Sequence, residues 1–224
     1  MSEILRGIKI DQFHTGRDWS AVMTAMSIPR PSVKTSYVDI DGADGSLDYT
    51  EAFGAINYEN RELTFSFSLS DGTRLEREKL INRIVAFCHG QNRKVIIDDD
   101  PTHYFYGRCA ISDVGNSIPY GVFTLTVTAD PWFYSVYETI RKITLTSTSA
   151  EVLLINSGVK TVIPTIETTA KIKSVAYNGT AHALSGAGTY ELTDCKIKGG
   201  ELLKMAISGS KGAICRIKYR EAIL

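Results

Sequence analysis

The chain has 224 residues, 43% of them hydrophobic, and its 25 basic side chains balance 25 acidic ones. That length supports a real core, in one long domain or two ordinary ones. The longest apolar runs, such as VIPTI and EVLLIN, fall far short of the ~20 residues a membrane helix needs, which excludes a helical span. The opening MSEILRGIKID carries no apolar stretch of signal-peptide length followed by small residues, so synthesis in a cytoplasm with reduced thiols is expected.

In chain order, ILRGIKI and SAVMTAMSI are short apolar segments, and Pro29 and Pro31 prevent regular structure from continuing past the second. An extended arm follows, through TSYVDI, the DGADG turn and SLDYTEAFG. RELTFSFSL is a strand of period two, with Leu63, Phe65, Phe67 and Leu69 on one face. The sequence then predicts a helix over about 73–89. Thr73 is its N-cap, Glu76 completes a capping box, Gly90 stops it, and Leu80, Ile81, Ile84, Val85 and Cys88 form its apolar stripe. KVIIDDD, HYFYGRCAISDV and YGVFTLTVTAD read as three further strands. From Thr139 onward the chain is strand after strand, separated by NSG, NGT, SGAG, KGG and SGSKG turns, the spacing of a β-sandwich or barrel.

Composition changes between these parts. Residues 1–137 hold 13 Lys and Arg against 18 Asp and Glu, and residues 138–224 hold 12 against 7. Of 21 aromatic residues, 18 precede residue 138. The shift places a domain boundary there, giving domains 1–137 and 138–224.

No residue pattern points to chemistry. DIDGADGSLDYTE (39–51) resembles a calcium loop, yet an EF-hand needs an oxygen ligand at position 5, glycine at 6 and glutamate at 12. Counted from Asp39, those places hold Ala43, Asp44 and Thr50. Asp-Gly turn chemistry is the expected role. Asp98, Asp99 and Asp100 read as a solvated turn, and Asn178-Gly179 as a hairpin turn. Cys88, Cys109, Cys195 and Cys215 have no CxxC spacing and read as small buried hydrophobes. The histidines are scattered, and hydrolase, metalloprotease and nucleotide-binding motifs are absent. Neither a catalytic residue, a cofactor nor a metal is expected. Trp132, Phe133 and Tyr134, within ADPWFYSVY, are candidate packing residues at the domain junction or against a neighbouring subunit.

The order of the pieces is informative where single motifs are not. KTSYVDIDGADGSLDYTEAFGAINYENRELTFSFSL, then the helix, KVIIDDDPTHYFYGRCAI and FTLTVTADPWFY, together with NSGVKTVIPTIE and the closing KGAICRI and YREAIL, resemble the distal tail protein (Dit) family of siphophages and related prophages. The resemblance spans nearly the whole chain and is densest from Lys34 to Tyr134. It implies a mainly β chain: an N-terminal β-sandwich with one α-helix, akin to tail-tube subunits, then a C-terminal galectin-like, carbohydrate-module-like sandwich. It also implies a homo-hexameric ring at the virion tail tip, joining the tail tube protein to the tail-associated baseplate protein and passing DNA through its channel. Receptor-binding proteins are a further implied partner, and the role is non-enzymatic. Within that picture Asp39, Asp41, Asp44 and Tyr49 are candidates for the ring interface. The alternative is a cell-surface carbohydrate-binding module acting in host adsorption, with Tyr177 and Tyr190 as its candidate sugar contacts.

Overall fold

A computed structural model describes residues 6–52, 54–69, 71–112 and 121–224. The chain forms two compact units, residues 1–133 with Leu224, and Tyr134–Ile223.

The first unit opens with β1 (Ile8–Ile10), β2 (Phe13–His14), α1 (Thr15–Trp19) and β3 (Ala21–Ser27). Next come β4 (Tyr37–Asp39), β5 (Ser46–Asp48), β6 (Arg61–Leu69) and α2 (Arg74–Cys88). β7 (Asn92–Ile97), β8 (Asp100–Ser112) and β9 (Val122–Ala129) complete it, and β10 (Phe133–Ser135) follows. Seven of these strands are hydrogen-bonded in the order β2-β1-β7-β8-β9-β6-β3, while β4 and β5 pair only with each other.

Alternation decides which face of this sheet is dry. Leu63, Phe65, Phe67 and Leu69 of β6 are buried, as are Phe123, Leu125, Val127 and Ala129 of the neighbouring β9. Phe67 and Phe123 sit opposite each other in the ladder, and their rings stack at 5.2 Å. The helix α2 contributes Ile81, Ile84 and Cys88 to the same cluster, with Leu80 and Val85 packed against it. Its start is fixed by the capping box, in which the Thr73 hydroxyl accepts from the Glu76 N–H and the Glu76 carboxylate accepts from the Thr73 N–H. The bonds that the Glu76 carboxylate accepts from the Thr73 N–H and from the Thr73 hydroxyl hold it below its usual range.

The second unit is a sandwich of two four-stranded antiparallel sheets. Its strands are β11 (Thr139–Thr144), β12 (Ser149–Ile155), β13 (Thr165–Thr168), β14 (Ile172–Tyr177), β15 (Thr180–Ala183), β16 (Gly188–Glu191), β17 (Leu202–Gly209) and β18 (Ile214–Tyr219), and a short β19 (Ala222–Ile223) belongs to neither sheet. One sheet runs β11-β18-β13-β16 and the other β12-β17-β14-β15. Leu154, Ile166, Val175, Met205, Ile207 and Ile217 fill the space between them. At the β14–β15 hairpin Asn178 and Gly179 take φ of 48° and 79°, the left-handed pair a two-residue turn requires.

The architecture is the mainly β one expected, with the capped helix in place. α1 and the short β2 before it, β10 after the first unit's last long strand, and β15 and β19 in the second unit escaped the sequence reading. The HYFYGRCAISDV expectation reaches residues 113 and 114, which lie outside the described residues, as does Tyr120 of YGVFTLTVTAD.

Candidate interaction surface

The β3–β6 ladder pairs Ala25 with Ser66, Met26 with Phe65 and Ser27 with Thr64. Six residues further along both strands, the same register reappears as the Val33–Tyr58 bridge. The arm is therefore a continuation of that hairpin, interrupted where Pro29 and Pro31 supply no N–H to the ladder. Beyond the gap, Glu59 donates its N–H to the Ser32 carbonyl and Lys34 donates to Asn57, both at 2.8 Å. β4 and β5 then pair as Tyr37–Asp48, Val38–Leu47 and Asp39–Ser46. At the tip, Gly42 and Gly45 adopt φ of 81° and 77°, and the Ala43 N–H donates to the Ile40 carbonyl at 3.1 Å. The Asp39 carboxylate accepts from the Ser46 hydroxyl at 2.6 Å. These are the reversal and side-chain turn bonds expected of Asp-Gly pairs.

This arm stands apart from the packed interior. None of the described residues between 29 and 60 belongs to the hydrophobic cluster of the first unit. Tyr37 is 59% exposed, and Val38, Ile40, Leu47 and Tyr49 are exposed as well. A lone two-stranded hairpin is at best marginally stable in water, and exposed apolar side chains on free strand edges mark surfaces made for a partner. Asp39, Asp41, Asp44 and Tyr49 are thus brought together on one exposed arm.

The consecutive aromatics after Pro131 go to separate partners. Trp132 meets Tyr58 edge-on at 5.6 Å, at the root of the arm. Phe133 stacks on Phe105 at 4.2 Å and lies 5.0 Å from His103. Tyr134 accepts a hydrogen bond from the Lys160 ammonium at 3.1 Å and receives that charge over its ring.

In the second unit the two candidate sugar tyrosines do not form a platform. Tyr177 is 4% exposed, its ring lies flat on His182 at 4.7 Å, and its hydroxyl donates to Asp194 at 2.7 Å. A ring held this way offers no free face for a sugar to stack on. Tyr190 is half-buried and donates to the Gly186 carbonyl at 3.0 Å. Exposed apolar side chains lie instead on the outer face of the β12-β17-β14-β15 sheet, where Ile155 pairs with Leu202 and Leu153 lies beside Lys204. Sequence reasoning missed this face because EVLLIN carries apolar residues on both sides of one strand.

Asp98, Asp99 and Asp100 divide their work rather than forming a cluster. Asp98 accepts from the Gly7 N–H and from His14, Asp99 pairs with Arg6, and Asp100 accepts from Thr102 and His103. No group of three or more histidine, cysteine, aspartate or glutamate side chains is placed to hold a metal ion among the described residues.

Arg61, the first residue of β6, is the functional candidate that sequence reasoning did not find. It is only 4% exposed, and its guanidinium lies over the Phe105 ring at 4.4 Å. Its Nε and Nη2 have no hydrogen-bond partner among the described residues. Burial, with a smaller contribution from the charge of Arg30, pushes its pKa down to about 10.

Comparison with known proteins bears on the fold. No family model matches the chain, and no curated protein does. Among solved structures, the Dit protein (gp 19.1) of phage SPP1, described as a paradigm of the hub adsorption apparatus in phages infecting Gram-positive hosts, aligns with a TM-score of 0.67 at 15% identity. The alignment covers 97% of this chain and 99% of that one. The baseplate of phage p2 in its activated, strontium-bound conformation aligns at a TM-score of 0.44 and 10% identity, over 95% and 97% of the two chains. Along nearly its whole length, the chain has the fold of the SPP1 Dit protein.

Proposed function

We propose that this protein is the structural hub of a siphophage or prophage tail tip. Six copies form a ring through residues 1–137, and residues 138–224 face outward. The ring joins the tail tube protein to the tail-associated baseplate protein, and the genome passes through it. The observation that carries this reading is the shared fold, end to end, with a protein described as a phage adsorption hub. The arm adds support, because an unpacked hairpin with exposed Tyr37, Leu47 and Tyr49 gains most from a neighbouring subunit. The excess of acidic side chains over residues 1–137 fits a channel wall that repels phosphate, so that DNA slides rather than sticks. On this reading the protein is made in the bacterial cytoplasm, resides in the virion and catalyses nothing. No helix among the described residues is long and apolar enough to cross a membrane.

Electron microscopy and light scattering of the full chain, alone at high concentration and with its tail tube protein, test the reading. Sixfold rings are expected in at least one condition. A particle that stays monomeric alone and adds no ring to the tube would refute it.

A further inference from the structure

The proline gap at the root of the arm holds an unusual juxtaposition. Continuing the register from Ser27–Thr64 to Val33–Tyr58 sets Arg30 opposite Arg61. Like charges directly across an antiparallel pair repel each other, and a buried guanidinium without an acceptor is costly. Arg30 donates to a main-chain oxygen of Leu224 in the same unit, which leaves the Arg61 guanidinium as the group at the gap without an acceptor among the described residues. Two cations therefore face each other at the root, one of them buried with two nitrogen atoms unsatisfied.

The arm has the opposite character. Residues 35–60 carry six acidic side chains, Asp39, Asp41, Asp44, Asp48, Glu51 and Glu59, and no lysine or arginine. The tip residues Asp41 and Asp44 are exposed and take no part in any hydrogen bond or ion pair within the chain among the described residues. Each copy thus carries an acidic tip without a cation and, at the root, a buried guanidinium without a hydrogen-bond partner among the described residues.

We propose that Arg61, together with Arg30, is a receptor for a carboxylate supplied by the arm tip of a second copy of this chain. This rests on the ring reading above and names the contact that would propagate it. A carboxylate has two oxygens and can be held by two guanidinium groups, each charge-assisted bond being stronger than a neutral one. Root and tip are different surfaces, so the contact is head-to-tail, the kind that closes rings of identical subunits. It also accounts for an arginine in a position where a leucine would complete the face shared by Leu63, Phe65 and Phe67.

Substituting Arg61→Met tests the assignment because it separates a docking role from a structural one. Replacing an unpaired buried charge by an apolar side chain of similar length is neutral or stabilising for the single chain. The unfolding midpoint should therefore hold or rise. Ring formation should require at least about tenfold more protein, the loss of roughly one charge-assisted contact. Asp41→Lys with Asp44→Lys should weaken rings similarly, and adding Arg30→Glu to that pair should restore part of the loss. The wild-type association should weaken as the screening length falls from about 10 Å at 0.1 M salt to about 3 Å at 1 M. If wild-type rings form and Arg61→Met rings form at the same concentration, the receptor is refuted while the ring reading stands. A lowered midpoint for Arg61→Met with unchanged rings would equally refute it, by making Arg61 structural. If wild-type protein forms no ring, alone or on the tube, the ring reading itself fails.

Discussion

The Tyr177 hydroxyl donates to the Asp194 carboxylate at 2.7 Å, and this bond locks a ring that the carbohydrate-binding alternative offers as a sugar contact. The same bond, with help from His182, holds the Asp194 carboxyl below its usual range. Tyr177→Ala should act on stability rather than on recognition. Deleting a buried aromatic ring costs about 3–5 kcal/mol, so the chemical-denaturation midpoint of the second unit should fall clearly. Glycan-array signals should be the same for wild type and variant under conditions where both are folded. A selective loss of sugar binding by a fully folded Tyr177→Ala protein would restore the carbohydrate reading.

The arm should behave as the least stable part of the free chain. Its limbs are joined to each other and to few other groups, so local opening there costs little of the global stability. Limited proteolysis of dilute protein should cut first between residues 35 and 56, and ring formation should slow that cut. Tyr37→Ser with Leu47→Ser should leave the unfolding free energy within about 0.5 kcal/mol, the usual range for exposed positions away from special features. The same pair should reduce association. Initial cleavage within β6 or β9 would mean that the arm is packed more firmly than its exposure implies.

Where local chemistry and tertiary packing agree, the fold was legible. The α2 boundaries follow from a Thr-x-x-Glu capping box and a helical stripe that stayed apolar, and β6 and β9 follow from strict alternation. Legibility ended where the signal was not a property of neighbouring residues. α1 is capped by His14, whose Nδ1 accepts from the Gly16 and Arg17 N–H groups while Nε2 donates to Asp98, 84 positions away. Histidine is not among the usual capping residues, so no scan for Ser, Thr, Asp or Asn finds that helix. Arg61 reads from sequence as the polar start of a strand. Its burial depends on Phe105 and on the proline gap, which only the register between Ser27–Thr64 and Val33–Tyr58 exposes. The burial of Tyr177 was not legible because its partners, His182 and Asp194, come from a hairpin and a later turn.

Gly107 in β8 marks a close approach that tolerates no side chain. A Cβ there would sit 2.4 Å from the Thr128 carbonyl oxygen and 2.5 Å from the Ala129 Cα, both backbone atoms of β9. Neither can rotate away, so Gly107→Ala must displace the β8–β9 ladder. Crowding of this kind costs about 1–3 kcal/mol, and urea titration of the first unit should report a loss in that range. A variant as stable as wild type would show that the ladder shifts freely.

The four thiols provide a separate clock for each unit. Burial pushes Cys88, Cys109 and Cys195 up to about 12 and Cys215 up to about 11. Alkylation proceeds through the thiolate, so at mildly alkaline pH the folded chain should resist labelling while the unfolded chain, with thiols near 8.5, reacts readily. Cys88 and Cys109 report on residues 1–133, and Cys195 and Cys215 on Tyr134–Ile223. Mass spectrometry of labelled peptides should therefore give one protection curve per pair as denaturant is raised, and two distinct midpoints if the units unfold independently. The pH dependence has a fixed sign. Thiols whose folded pKa exceeds the unfolded value keep their protons longer in the native state, so their contribution is intact below about 9 and is lost as pH rises towards 11 to 12. The urea midpoint should decline across that window. Rapid labelling of Cys88 or Cys109 in the absence of denaturant would show that the packing of α2 against β8 opens on its own.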